Sequence, residues 1–138
     1  MRSRNKLKII NDPIYGFIHI PSTLVFDIIE HPYFQRLRRI NQMALSYLVF
    51  PGAKHTRFEH VLGCVFLMQK TVEMLRFKGI QISEKEAEGL YIAILLHDIG
   101  HGPFSHAMEH SIVEGISHEE ISLLFMQELN KVFNGKLD

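Results

Sequence analysis

The sequence predicts a mostly α-helical fold that begins with a small β-hairpin. Apolar residues alternate with polar ones near the amino terminus, and they recur at helical spacing through most of the remaining chain. A chain of 138 residues suits one domain, because a chain of this size buries roughly two thirds of its unfolded surface. We therefore predict a single domain over residues 1–138, with a hairpin region at 1–21 and helices over 22–138.

The spacing of the apolar residues changes from strand-like alternation to helical spacing after the amino-terminal segment. "KLKIINDPIYGFIHIP" alternates apolar and polar residues on both sides of residues 11–13, whose Asn, Asp and Pro are typical of a turn. Ser22 is predicted to cap a helix over "TLVFDIIE". The His-Pro pair at 31–32 interrupts that helix, so a second short helix is predicted in "YFQRLRRINQM".

The longest helix is predicted from about Arg57 to Lys78, where Gly79 ends it. Its buried stripe follows three-and-four spacing and comprises Val61, Cys64, Val65, Met68, Val72 and Leu75. Cys64 is the only cysteine and cannot form an internal disulfide. We interpret it as a small, inert core residue.

Two capping boxes predict the starts of the later helices. Ser83 with Glu86 opens a helix through "AEGLYIAILLHD", and Ser117 with Glu120 opens the last one. Because "GLYIAILL" is apolar around most of its circumference, the first of these helices is predicted to be central. Pro103 is predicted to begin a short helix, "PFSHAMEHSIVE", between them.

Composition excludes several classes of protein. With 15 basic and 15 acidic residues the net charge is zero, whereas general nucleic-acid binders usually carry a basic surplus. No window approaches the ~18 uninterrupted apolar residues of a membrane span. The basic start "MRSRNKLKII" is followed by polar residues and a proline rather than by a secretory apolar region, so a cytoplasmic protein is expected.

The stretch "LLHDIGHGPFSH" at 95–106 places ionisable residues directly after the most apolar segment. A helix end that carries His97 and Asp98 into the interior buries a carboxylate, and a bound cation would compensate that cost. Backbone carbonyls and amides could satisfy both groups without a metal. A zincin-type protease is disfavoured, because its HExxH motif needs both histidines on one continuous helix, and glycines and a proline follow here.

Five blocks of the chain form a recognisable series: "INDPIYGFIHI", "FQRLRRINQ", "VFPGAKHTRFEHVLG", "LLHDIGHGPFSH" and "SHEE". In order and spacing these blocks resemble the HD-domain phosphohydrolases, in particular the deoxynucleoside triphosphate triphosphohydrolases. The resemblance extends from about Lys8 to Glu120. It implies an all-α, HD-domain helical bundle that carries a metal-dependent hydrolase site.

The resemblance also implies roles for individual residues. The metal ligands would be His60, His97 and Asp98, with a fourth aspartate on a later helix beyond Asp138. The catalytic residues would be His101, His106, His118 and Glu109. Substrate would be bound by Arg57, at its phosphates, and by Gln42, near the deoxyribose.

In relatives regulated by guanine nucleotides, the activator site resembles positions Lys8, Glu30, Gln35 and Arg38. Glu30 replaces the aspartate of those relatives, which weakens the regulatory interpretation. The cluster "FQRLRRINQ" is equally interpretable as a solvated helix surface.

The chemistry of these residue types agrees with a phosphohydrolase. Two imidazoles and a carboxylate suit Fe, Mn, Zn or Ni and leave positions open for water and a phosphate oxygen, with Mg²⁺ as a second cation that accompanies the nucleotide. Either His106 or His118 could protonate the leaving oxygen, and their spacing does not decide between them.

The expected function is hydrolysis of deoxynucleoside triphosphates to deoxynucleoside and triphosphate by the complete enzyme. The alternative is a non-catalytic or incomplete HD module that binds nucleotide or metal, or that mediates oligomerisation. We expect the chain to be an amino-terminal portion of a longer phosphohydrolase that turns over slowly alone, because one carboxylate ligand is missing. We also expect homo-oligomers that form through apolar surface of the last helix.

Overall fold

The computed structural model describes residues 8–104, 106 and 115–137. Two strands, β1 (Ile9–Asp12) and β2 (Gly16–His19), are followed by helices α1 (Thr23–Glu30), α2 (Pro32–Gln35), α3 (Arg57–Phe77), α4 (Glu84–Leu96) and α5 (His118–Val132). Short 3₁₀ helices lie at Arg36–Arg39 and Ser46–Leu48. The predicted helical fold with a small amino-terminal hairpin is confirmed.

The hairpin is closed by a turn that its own sequence specifies. The Asp12 carboxylate accepts hydrogen bonds from the backbone N–H groups of Ile14 at 2.8 Å and Tyr15 at 2.9 Å, as aspartates in turns commonly do. This turn sets the antiparallel register in which Ile10 faces Ile18. Ile18 is fully buried, so the hairpin contributes one strand residue directly to the core.

The second predicted helix is shorter than the sequence pattern suggests. After α2 and the 3₁₀ helix that follows it, the chain becomes extended at Ile40. The Ile40 carbonyl accepts the Arg57 N–H at 2.8 Å, and Asn41 forms an antiparallel bridge with Thr56. Pairing with the segment before α3 therefore replaces the helix that local periodicity favours.

All three long helices begin at capping boxes, of which the sequence analysis identified the last two. In each box the N-cap side chain accepts the N–H of the glutamate three residues later, and that glutamate returns to the cap N–H. The boxes are Thr56 with Glu59, Ser83 with Glu86, and Ser117 with Glu120. They fix the first turns of α3 and α5, where several predicted site residues lie.

The core lies where α3 packs against α4, with α1, α2 and the hairpin around them. α4 is not central in the described structure. Its last turn, with Leu95 and Leu96, is buried, whereas Leu90 is 40% exposed because only one face of the helix meets α1 and α3. Within the described residues, no helix combines the length and the apolarity that crossing a membrane would require.

α5 approaches the end of α4 at Gly100. The Gly100 N–H donates to the Ser122 hydroxyl at 2.9 Å. A Cβ atom at position 100 would collide with the His118 carbonyl oxygen and would lie 2.5 Å from the Ser122 backbone nitrogen. Only glycine lets the two backbones approach this closely. The short helix predicted from Pro103 falls mostly on residues outside the described part of the chain.

Replacing Gly100 with alanine should destabilise the fold by at least about 2 kcal/mol, because the new methyl group meets backbone atoms that cannot yield as a flexible side chain can. Gly89→Ala is the matched control, since no atom lies within 4 Å of its Cβ position in α4. That control should stabilise the protein by roughly 0.5–1 kcal/mol through helix propensity. Urea unfolding measures both, and equal effects would contradict the packing at Gly100.

Candidate active site

The candidate site forms where the first turn of α3 meets the turn after α4. The Thr56 capping box starts α3, so Arg57 and His60 lie in its first turn. α4 ends at Leu96, and His97 and Asp98 follow at its carboxyl terminus as predicted. Backbone bonds from the Ile99 N–H to Leu96 and from the His101 N–H to Asp98 tighten this turn.

Asp98 lies at the centre of the site and is only 7% exposed. Its Oδ2 accepts a hydrogen bond from the Arg57 guanidinium at 2.6 Å and lies 3.7 Å from Nε2 of His60. Its Oδ1 lies 3.4 Å from Nε2 of His97 and 3.5 Å from Nε2 of His101. Burial alone raises the pKa of this carboxyl, but the charges of His97, Arg57 and His101 outweigh burial and lower the pKa below its ordinary value.

The three predicted metal ligands, His60, His97 and Asp98, are brought together in space. Nδ1 of His97 lies 2.6 Å from the Ile94 carbonyl oxygen. Because a carbonyl can only accept, Nδ1 carries a proton, and Nε2 is the ring nitrogen that faces Asp98 and could bind a metal. Burial lowers the pKa of His60, which favours the neutral imidazole that binds metals. This donor set fits a divalent transition metal.

Cys64 is not the core residue that the sequence predicts. It is half-buried, and its Sγ lies 3.6 Å from Nε2 of His60, one helical turn away on α3. Potential ligand atoms of His60, Cys64 and His97 all lie within 4.8 Å of one another. Burial, and then the negative charge of Asp98, raise the pKa of the Cys64 thiol. The four-residue spacing from His60 is the sequence signal that could have identified this neighbour.

A second group, His101, His106 and His118, lies next to the carboxylate. The rings of His101 and His118 stack with centroids 4.0 Å apart, and the His106 ring packs edge-on at 4.9 and 5.1 Å from them. Burial, with further contributions from the charges of Arg57 and His118, lowers the pKa of His101 to about 4. His101 is therefore neutral near pH 7, while His106 is exposed. Glu109, the fourth predicted catalytic residue, lies outside the described residues.

Arg36 is a site residue that the sequence analysis did not single out. Its guanidinium donates to the carbonyl oxygens of Ile99 and His101, the latter at 2.7 Å, and lies over the Phe125 ring of α5 at 4.7 Å. Burial lowers its pKa. Arg36 thus holds the backbone that carries Asp98 and His101. Its position within "FQRLRRINQ" gives no sign of this contact across 65 residues.

The two predicted substrate residues lie beside the site in different situations. Arg57 is 4% exposed and points to Asp98 rather than into solvent. Binding of a phosphate by Arg57 therefore requires its guanidinium to move. Gln42 follows the bridge between Asn41 and Thr56, and its N–H donates to the His55 carbonyl at 3.1 Å. It therefore lies near the amino terminus of α3.

The four residues predicted to form a regulatory site also lie together. The Lys8 ammonium pairs with the Glu30 carboxylate at 2.5 Å, and the Arg38 Nε donates to Gln35 at 2.8 Å. Glu30, Gln35 and Arg38 line one surface cavity that Arg36 also lines. A regulatory role for this group stays a prediction.

Removing one partner of the Arg57–Asp98 pair should be costly. Arg57→Ala leaves a buried carboxylate without its guanidinium and should reduce the free energy of unfolding by about 3 kcal/mol. Lys70→Ala is the control, because its pair with Glu73 is exposed and should contribute less than about 0.5 kcal/mol. Both values come from urea unfolding, and a small loss for Arg57→Ala would contradict a structural role for the pair.

Protonation of His101 should destabilise the fold in acid. Its folded-state pKa is about 4 against an ordinary 6.5, so the unfolded chain binds the proton first as the pH falls. The stability that this group contributes is complete above pH 6.5 and is lost as the pH falls to about 4, a change of roughly 3 kcal/mol. Urea unfolding with a chelator present should show a shallower pH dependence for His101→Asn than for the wild type. Identical slopes would contradict a buried, neutral His101.

Comparisons with known proteins agree with this geometry. The HD domain model matches residues 57–135, more than half of the chain. The deoxynucleoside triphosphate triphosphohydrolase SAMHD1 of Homo sapiens is 44% identical over 131 residues, which are 89% of this chain and 21% of the human protein. The protein of the same name from Bos taurus is 42% identical over 134 residues, 91% of this chain and 23% of its own.

A solved structure is similar over nearly the whole chain. The crystal structure of a phosphohydrolase from Bacteroides thetaiotaomicron matches with a TM-score of 0.91 and 58% identity, and the match covers 94% of this chain and 32% of that one. The chain spans less than a third of the length of each of these relatives. HD domains are metal-dependent, and the group of His60, Cys64 and His97 next to Asp98 could bind a metal. This chain belongs to the HD-domain phosphohydrolase superfamily.

Proposed function

We propose that this chain carries the metal-binding and phosphate-binding residues of a hydrolase that converts deoxynucleoside triphosphates to deoxynucleoside and triphosphate. The observation that supports this most is the convergence of His60, His97 and Asp98 from two helices, directly beside a cluster of three histidines. The similarity to triphosphohydrolases supports the substrate class. The proposed cofactor is one divalent ion of Fe, Mn, Zn or Ni, with Mg²⁺ accompanying the nucleotide.

The proposed ligands are already oriented by the protein. The hydrogen bond from His97 to the Ile94 carbonyl fixes the ring and its tautomer, and Arg57 holds one oxygen of Asp98 in place. A bound divalent ion would supply an activated water and polarise a phosphate oxygen.

The three-histidine cluster is proposed to contact the triphosphate and to supply a proton. His101 is buried and neutral near pH 7, so its ring carries one N–H. This N–H could donate a hydrogen bond either to a phosphate oxygen or to a neighbouring imidazole. His106 is exposed and within ring contact of both partners, which suits a group that meets an incoming substrate. Either His106 or His118 would donate to the leaving oxygen of the deoxyribose. Arg57 holds Asp98 in the substrate-free site and would turn to give the phosphates a bidentate contact when substrate binds.

One observation favours a second function, that of a non-catalytic nucleotide-binding module. The Arg57 guanidinium, at 2.6 Å, already neutralises the carboxylate that a cation would need. If that pair persists with metal in solution, the site binds anions without hydrolysing them. Metal analysis of the purified chain separates the two functions, since the hydrolase requires about one bound ion per site.

We also propose a self-association surface, a type of substrate and a cellular location for the protein. Leu123, Leu124 and Val132 of α5 are more than half exposed, which supports self-association through this helix. The balanced charge supports a small-molecule substrate rather than nucleic acid. We place the protein in the cytoplasm, because its single cysteine excludes an internal disulfide framework.

Deoxynucleoside triphosphate with Mn²⁺ should raise the melting temperature of this chain by several degrees at ligand concentrations about 100 times Kd, where binding adds about 2.7 kcal/mol. The unphosphorylated deoxynucleoside should give no shift, because the proposed contacts are to phosphates. Asp98→Asn should remove the Mn²⁺-dependent part of the shift. Lys70→Ala, distant from the site, should keep it. No shift at millimolar nucleotide would contradict the proposal.

A further inference from the structure

We propose that Cys64 is a further protein donor to the cation of the candidate site, beside His60, His97 and Asp98, and that its sulfur biases this site toward zinc and other thiophilic metals over manganese. The inference rests on the proposed metal site of His60, His97 and Asp98 and extends it to a residue that was expected to be inert. It concerns which metal the site binds, and it does not depend on which substrate is hydrolysed.

Cys64 lies at the edge of the buried face of α3, on the side of His60. The centre of that face includes Val61 and Val65, which are fully inaccessible to solvent. His60 and Cys64 each precede one of these valines by one position, so each is rotated about 100° from it in the same direction. Both are half-buried and occupy neighbouring positions on one face. A cysteine that only filled the core would be expected on the valine face.

The distances between the donor atoms fit ligands of a single ion. Typical zinc bonds to sulfur and to imidazole nitrogen place two tetrahedral ligands of one ion about 3.6 Å apart. Sγ of Cys64 lies 3.6 Å from Nε2 of His60. The other donor separations in the site are similar, at 3.7 Å from Nε2 of His60 to Oδ2 of Asp98 and 3.4 Å from Nε2 of His97 to Oδ1 of the same carboxylate. The same Nε2 atom of His60 thus lies at ligand–ligand distance from both the sulfur and the carboxylate.

The charge of a Cys64 thiolate and the metals that thiolates prefer also fit this role. Cys64 would bind as the thiolate and release its proton to solvent, with no change of oxidation state at sulfur or metal. Within this chain, one thiolate and one carboxylate would balance the charge of a divalent ion that two neutral imidazoles also bind. Thiolate ligands favour zinc, whereas Mn²⁺ prefers oxygen donors. A site with Cys64 should therefore differ in metal preference from one without it.

Cobalt(II) added to the metal-free chain tests this directly. Four-coordinate Co²⁺ gives visible d–d bands, and a cobalt–sulfur bond adds a charge-transfer band in the near ultraviolet. Cys64 is the only cysteine, so that band has a single possible thiolate source. We expect both features in the wild type, and loss of the charge-transfer band alone in Cys64→Ser and Cys64→Ala. The serine variant keeps the side-chain volume, so agreement between the variants excludes a packing effect.

The outcomes separate this inference from the metal site on which it rests. Visible d–d bands without a charge-transfer band would overturn the role of Cys64 and leave the site of His60, His97 and Asp98 intact. No cobalt binding at all, with His97→Ala behaving like the wild type, would overturn both. A charge-transfer band that survives in Cys64→Ala would also overturn the assignment.

Competition with a chromogenic chelator gives a second readout. Loss of Cys64 should weaken zinc binding by about 10–100-fold, the range found when even an outer partner of a metal ligand is removed. Binding of Mn²⁺ should change by less than about threefold, because manganese gains little from a thiolate. Equal changes for the two metals would overturn the proposed bias.

Discussion

The buried ion pair between Arg57 and Asp98 is the contact on which the site depends. It joins the first turn of α3 to the end of α4, two elements 41 residues apart, through a bond of 2.6 Å between side chains that are almost inaccessible to solvent. Neither charge could be buried there alone without a large cost in free energy. Because Arg57 holds one carboxylate oxygen, the other faces His97 and His101, and the histidines on both sides are arranged around a fixed acceptor.

The turn after α4 keeps its shape through contacts from outside it. The glycines of this turn have no side chains that could pack against the core. The Gly100 N–H is held instead by its hydrogen bond to the Ser122 hydroxyl of α5. On the opposite side, Arg36 donates to the Ile99 and His101 carbonyls. Satisfying buried backbone groups with side chains fixes the backbone as firmly as a regular element would. The cavity that Arg36 shares with Gln35 and Arg38 therefore lies one side chain away from the site.

A single carboxylate gives the neighbouring imidazoles different properties. His60 and His97 approach Asp98 from the side where their Nε2 atoms and the Cys64 sulfur form a donor group. His101 approaches the same carboxylate oxygen as His97 and stacks on His118, where burial keeps it neutral. Histidines around one carboxylate are thus positioned for ligation at His60 and His97 and for hydrogen bonding at His101. Burial and neighbouring charge, rather than residue identity, make this distinction.

The sequence by itself determined the hairpin, the long helices and several residues of the candidate site. Helical periodicity and the capping boxes at Ser83 and Ser117 located the helices, since caps and periods depend on residues a few positions apart. The grouping of His60, His97 and Asp98 followed from a resemblance carried by several motifs. Only the tertiary structure decided that the second short helix ends before Ile40, that Arg36 holds the turn after α4, and that Cys64 faces His60. The first two depend on contacts between distant segments, and the third depends on which face of α3 the valines bury, so local pattern could not settle them.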